Sequence, residues 1–148
     1  MKEKYNFENL FVLDLANNHQ GNVEHALNII RSIGKVISNQ NVRAGLKFQF
    51  RQFDTFIHPS HKNGSDNKHI PRFLSTSLKK SDYKVLFDEV VSQKMITICT
   101  PFDEESVDLC VEFDMTIIKI ASSDMNDWPL IEKIATTRRP VILSSGGE

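Results

Sequence analysis

The chain has 148 residues, 40% hydrophobic and 25% charged, which is enough apolar mass for one core. Its 18 Lys and Arg against 19 Asp and Glu leave a formal net charge of −1, so there is no electrostatic case for a nucleic-acid or anionic-membrane partner. The opening MKEKYNFENL lacks the apolar run of a signal peptide, no stretch is long enough to span a bilayer, and Cys99 and Cys110 read as small buried hydrophobes in a reducing compartment, so a cytoplasmic protein is expected.

Five short apolar runs read as buried strands: FVLDLA (11–16), AGLKFQF (44–50), MITICT (95–100), TIIKIA (116–121) and PVILSS (140–145). Helical patterns fill the gaps. The first begins after Asn22, a plausible N-cap, with Val23, Ala26, Leu27, Ile30, Ile33 and Ile37 as its apolar stripe. SDYKVLFDEVVSQ, capped by Ser81, is the second, and the third starts at Asp103 with acidic residues where the helix dipole favours them. WPLIEKIATTR is the fourth, with Pro129 in its first turn. Residues 51–80 form a long polar connection containing Pro and Gly, a length that is usually functional or disordered.

The order βαβαβαβαβ implies a parallel sheet with right-handed crossovers. Two α/β architectures fit, an open doubly wound sheet and the N-terminal portion, about five βα units, of a (β/α)8 TIM barrel. In the open sheet only the strand ends at one switch point carry chemistry, whereas in a barrel all carboxyl ends face one mouth. Here every run ends in polar groups, from Asp14 with Asn18 and His19 through Lys47 and Gln49, Thr100, and Lys119 with Ser122 and Asp124, to Ser144. That favours the barrel. A complete barrel takes about 250 residues, so the chain is expected to be the N-terminal part of a longer barrel domain.

Lys119 lies in a strand apolar on both sides, where an unpaired charge costs several kcal/mol, roughly, even after relaxation. Lys47 occupies the equivalent place in the second strand. Two desolvated ammonium groups at one mouth would depress one another's pKa unless an anion joined them, so a multiply charged anion is expected. Thr100, Ser122 and Ser144 offer hydroxyl donors around it. Asp14 and Asp124 offer carboxylates able to move a proton or orient water, and Gln49 an amide able to bind a sugar hydroxyl.

The segments LDLANNHQGN, LKFQF, ICTPFDEESVD, IIKIASSDMNDWPLI and RPVILSSGG resemble, in order and spacing, successive segments of the sialic acid (N-acetylneuraminate) synthase family. The likeness runs from about Phe11 to the end, and its KxQ, TPF and KIxS elements are specific only in combination. It implies a transferase of cell-surface carbohydrate biosynthesis that condenses phosphoenolpyruvate with an N-acetylated amino sugar, N-acetylmannosamine or a diamino relative, to a nine-carbon 2-keto sugar acid. On that likeness Lys47, Thr100, Lys119, Ser122 and Ser144 match phosphoenolpyruvate-binding positions, Gln49 an amino-sugar contact, and Asn18 and His19 neighbours of the site. It also implies a divalent metal, Mn²⁺ or Mg²⁺, whose ligands would lie beyond Glu148, together with a C-terminal antifreeze-like domain and a homodimer. The 148 residues alone would then be inactive.

Asp14 and Asp124 depart from the family's pattern, which has glutamates there for proton and water handling, and SSD and SSGG replace the commoner SGE and STGM. A carboxylate drawn back by one methylene moves by about 1 Å, which in some enzymes costs ~100-fold in rate. Two rival readings stand beside the first: a related synthase using a four- or five-carbon sugar phosphate, and a non-catalytic anion-binding module. The 51–80 segment, with Arg72 and its histidines, is the candidate for shaping sugar choice. His58, His61 and His69 lack a carboxylate at strong ligand spacing, so no metal site is expected from them. Ser122 and Ser144 lack a nearby base, Walker A and GxGxxG patterns are absent, and Lys79, Lys80, Arg138 and Arg139 read as solvated faces.

Overall fold

The computed structural model describes residues 4–62 and 69–146. Its elements run β1 (Leu10–Asp14), α1 (Val23–Gln40), β2 (Arg43–Phe50), α2 (Phe53–Phe56), α3 (Pro59–Lys62), α4 (His69–Ser75), α5 (Lys80–Ser92), β3 (Ile96–Pro101), α6 (Glu104–Glu112), β4 (Ile117–Ile120), α7 (Trp128–Thr136) and β5 (Val141–Leu143). A single 3₁₀ turn, Ser122–Asp124, follows β4. The expected strands all form; β4 and β5 are trimmed at both ends, β1 and β2 begin one residue earlier than expected, and β3 is shifted by one residue.

The sheet order is β1-β2-β3-β4-β5 and every neighbouring pair is parallel. Right-handed crossovers that always advance in one direction put every helix on the same side of the sheet. The sheet can cover its other side only by curling, which is the wall of a (β/α)8 barrel and not a doubly wound sheet. Side-chain alternation follows from that. Leu46, Phe48, Phe50, Cys99, Ile118 and Ile120 point outward into a core shared with Ala26 and Ile30 of α1, Leu86 and Val90 of α5, Val107 and Cys110 of α6, and Leu130 and Ile134 of α7. The intervening residues share the inner face, where the register pairs Asp14 with Lys47, Lys47 with Ile98, Gln49 with Thr100, Ile98 with Ile117 and Lys119 with Ile142. Cover thins at the two edge strands, where Phe11 and Leu143 are exposed.

Local chemistry accounts for the helix starts. The Asn22 side chain accepts the His25 N–H at 2.9 Å, Asp103 accepts that of Ser106 at 2.7 Å, and Asp127 that of Leu130 at 3.1 Å. Ser81 is not the cap of α5. The N-cap position is Lys79, two residues earlier, and the Asp82 carboxylate in the first turn reaches back to accept the Lys79 N–H at 3.0 Å, which leaves Ser81 already inside the helix. The 51–80 connection carries three short helices, α2 to α4, so it is more structured than its polarity suggests; its residues 63–68 lie outside the described ones. The β1–α1 loop packs on the end of α4, with Gly21 at φ +72° where a Cβ would stand 2.5 Å from the Ser75 carbonyl oxygen. Arg139 is no solvated face: it donates to the Met115 carbonyl and to the Asp114 carboxylate, clipping the turn between α6 and β4. Both cysteines are free and fully buried, and burial together with contact from Cys110 pushes the Cys99 thiol up.

Candidate active site at the barrel mouth

Strand β2 sets the site because its alternation is strict: Leu46, Phe48 and Phe50 anchor it outward, so Lys47, Gln49 and the following Arg51 project along the inner side toward the mouth. Lys47 is 5% exposed, a burial that an ammonium tolerates only with a partner. That partner comes from within the chain, where the sequence suggests only a bound anion between the two lysines. Asp14 lies directly across the β1–β2 pair and its carboxylate forms an ion pair with the Lys47 Nζ. The pair is lopsided, with the lysine side chain 7% exposed and the aspartate 59%.

Lys119 fits the original reading. It stands half-buried on the inner face of β4, with no hydrogen bond or ion pair among the described residues. Burial lowers its pKa, Lys47 lowers it further, and Asp14 and Asp124 pull it back up. Asp124, in the 3₁₀ turn after β4, accepts the Ser123 hydroxyl at 2.8 Å through Oδ1, while its Oδ2 is buried without a partner. The Thr100 hydroxyl, 1% exposed and paired across the sheet with Gln49, is likewise buried without a partner. Ser144 is tied by its N–H to the Ile120 carbonyl at 3.2 Å, and the turn after it brings Gly146 against Ser122, where a Cβ would meet the serine Cβ at 3.3 Å. The structure therefore gathers Asp14, Lys47, Gln49, Thr100, Lys119, Ser122, Asp124 and Ser144 at one mouth.

Asn18 and His19 sit beside it. The Asn18 amide donates to the main-chain carbonyl of Asp14, at 3.1 Å, and not to its carboxylate. His19 is 1% exposed; its Nδ1 accepts the Gly21 N–H at 3.0 Å, so the proton is on Nε2, which is buried without a partner. Burial, then His25, lowers its pKa. Its ring stands edge-on to Tyr83, whose hydroxyl donates to the Gln49 carbonyl at 3.4 Å and whose own pKa burial pushes up to about 12. His19 thus braces the back of β2.

The residue that sequence reasoning missed is Arg51. Its Nη1 donates to Gln49 Oε1 at 3.2 Å, and its guanidinium lies over the rings of Phe102 at 3.8 Å and Phe73 at 4.7 Å from their centroids. A signal was present, since Arg51 continues the period-two series Lys47, Gln49. Its partners come from two other elements, and no spacing reveals them.

With this mouth defined, comparison with known proteins becomes informative: the NeuB family profile matches residues 39–148. The chain belongs to the NeuB family. A crystal structure of a spore coat polysaccharide biosynthesis protein E from Chromobacterium violaceum is 44% identical over 93% of this chain and 41% of its own, with a TM-score of 0.90. Among curated relatives, the uncharacterized protein MJ1065 of Methanocaldococcus jannaschii is 30% identical over 87% of this chain and 35% of its own length. N-acetylneuraminate-9-phosphate synthase of Mus musculus is 25% identical over 91% and 38%. This NeuB-family chain therefore spans well under half the length of the relatives it matches.

Proposed function

We propose that this chain carries the phosphoenolpyruvate-binding half of a sialic-acid-type synthase, which joins phosphoenolpyruvate to an N-acetylated amino sugar and releases phosphate. One observation carries the reading. A half-buried ammonium, Lys119, lacks a bonded partner among the described residues and adjoins a second lysine, with the Thr100 hydroxyl and one Asp124 oxygen buried and unused beside it. Buried polar groups are normally satisfied, so such a set at one mouth is the signature of a ligand that completes it. Two cations with a hydroxyl donor suit a phosphate and a carboxylate on one small molecule. The names of the family's curated members, N-acetylneuraminate-9-phosphate synthase among them, support that choice of chemistry.

In the reaction, carbon 3 of phosphoenolpyruvate bonds to the aldehyde carbon of the open-chain sugar, whose oxygen takes a proton. Water adds its oxygen to carbon 2 and gives up one proton; the carbon 2–oxygen bond to phosphate then breaks, its electron pair leaving with the phosphate, which takes the proton of the new hydroxyl as that oxygen becomes the 2-keto carbonyl. Lys119 and Lys47 hold the anion and oppose the charge that grows on the departing phosphate. Asp124, with its free oxygen, is assigned to the water or the proton, and Asp14 to pairing with Lys47 and aiming it. Among the described residues no group of three or more His, Cys, Asp or Glu side chains could hold a metal ion, so no step here runs through the Mn²⁺ or Mg²⁺ that the resemblance implies. A cytoplasmic homodimer belongs to the same proposal; no helix among the described residues is long and apolar enough to cross a membrane.

The test is phosphate release from phosphoenolpyruvate by the full-length protein, with Mn²⁺ and a panel of acceptors that includes N-acetylated amino sugars and four- and five-carbon sugar phosphates. Release that depends on an amino sugar supports the assignment. Release only with a sugar phosphate, or with no acceptor at all, overturns it.

A further inference from the structure

We propose that Arg51 is a positioning residue that fixes the hydrogen-bond polarity of Gln49, so that the mouth accepts an acyl-amide or hydroxyl oxygen at this position and refuses a protonated amine. The inference rests on reading Gln49 as a sugar contact and adds what kind of sugar it selects.

A glutamine amide can turn over, offering either its oxygen or its nitrogen to a ligand. A guanidinium has donors only, so the group it faces at 3.2 Å is the amide oxygen, and the Gln49 nitrogen is left pointing elsewhere with two hydrogens to give. Arg51 is itself held on both sides. Phe102 and Phe73 lie within cation–π distance of its guanidinium, one from the end of β3 and the other from α4. The backbone beneath is pinned too. The Phe50 carbonyl accepts the Phe102 N–H at 3.1 Å, and the Asp103 carboxylate joins the two strand ends by accepting the Gln52 N–H at 2.8 Å and the Ser106 N–H at 2.7 Å. A clamp with so many supports holds one orientation of the amide instead of averaging two.

The consequence is a chemical filter. A donor-only Gln49 nitrogen beside a cation pairs with a carbonyl or hydroxyl oxygen of the sugar, and an ammonium there would meet a donor and a like charge together. Choice among sugars then depends on α4 as well, because Phe73 is one plate of the clamp. The 51–80 segment acts on the sugar through Phe73 and Arg51, a route that its Arg72 and histidines did not suggest.

Two variants separate the parts. Arg51→Met keeps an apolar stem between the rings but removes the donors; Gln49→Glu keeps the contact with Arg51 as an ion pair but removes the donating nitrogen. Binding of phosphoenolpyruvate, N-acetylmannosamine and mannosamine to the full-length protein is measured by calorimetry, alongside thermal unfolding. Gln49→Glu is expected to unfold no earlier than the parent, yet to lose N-acetylmannosamine about tenfold or more. Arg51→Met is expected to narrow the preference for the acetylated over the free amino sugar by about tenfold. An unchanged preference in Arg51→Met, or intact sugar binding in Gln49→Glu, overturns the proposal. Side-chain amide NMR reads the same polarity without any ligand. The Gln49 signal, assigned by its loss in Gln49→Glu, is expected to be a single sharp pair that shifts and broadens in Arg51→Met; an unmoved signal overturns the clamp even if sugar binds. Failure of the parent protein to bind any sugar instead overturns the functional reading, and the NMR result then stands by itself on the clamp.

Discussion

Replacing Asp14 by asparagine strips the charge that faces Lys47, and its cost follows from the lopsided burial of the pair. Two unit charges about 4 Å apart attract by about 1 kcal/mol in bulk water and about 4 kcal/mol at an effective dielectric of 20. With Lys47 buried and Asp14 largely in solvent, the loss belongs between these limits, at about 2 kcal/mol. Lys47→Met removes the buried ammonium itself and leaves only a solvated carboxylate, so it should cost less than about 1 kcal/mol. In urea, with a slope of about 1–3 kcal/mol per molar, the Asp14→Asn midpoint should fall by about 1 M and that of Lys47→Met by less than half as much. The double variant should resemble Lys47→Met alone. Far-UV circular dichroism against urea measures all of these, and added phosphoenolpyruvate should restore part of the Asp14→Asn loss by binding the folded state. If Lys47→Met proves as damaging as Asp14→Asn, the stem of the lysine matters more than its charge, and the account of the mouth as an electrostatic site fails.

Other outcomes follow from the same geometry. Lys119 has a pKa below its usual 10.5, which a bound anion would raise again, so anion binding at alkaline pH should take up protons; calorimetry in buffers of different ionisation enthalpy would show it, and Lys119→Ala should abolish the effect. The buried His19 holds its pKa below 6.5, so the unfolded chain binds the extra proton first, and stability that is complete above about pH 6.5 is lost as the pH falls. Urea midpoints between about pH 7.5 and 5.5 should drop for the parent and stay flatter for His19→Gln. Gly21→Ala should cost about 2–4 kcal/mol, from a left-handed backbone and a Cβ driven against the Ser75 carbonyl; an unchanged melting temperature would show that the β1–α1 loop does not rest on α4.

Much of this was legible before any coordinates because the determinants are short in range. Alternation in AGLKFQF places Lys47 and Gln49 on one side and three large apolar residues on the other, whatever surrounds the strand. Asn22 and Asp103 cap their helices with side chains that reach only three residues ahead. Ser81 failed for a related reason: several residues near the helix start could cap, and the contact actually made, from Asp82 to the Lys79 N–H, won by geometry that composition does not encode.

Period and order along the chain were thus sufficient to settle a curled parallel sheet with its polar strand ends at one mouth, since each strand's pattern and each crossover's hand act locally. What required the tertiary structure was the pairing of charges. Asp14 meets Lys47 only because β1 and β2 align in one particular register, and Arg51 reaches Gln49 between rings delivered by α4 and the end of β3. Hydrogen bonding and ring contact need groups within a few ångströms, and the attraction between charges weakens as the inverse of their distance, so which partner a buried cation finds is decided by the packing of segments far apart in the chain.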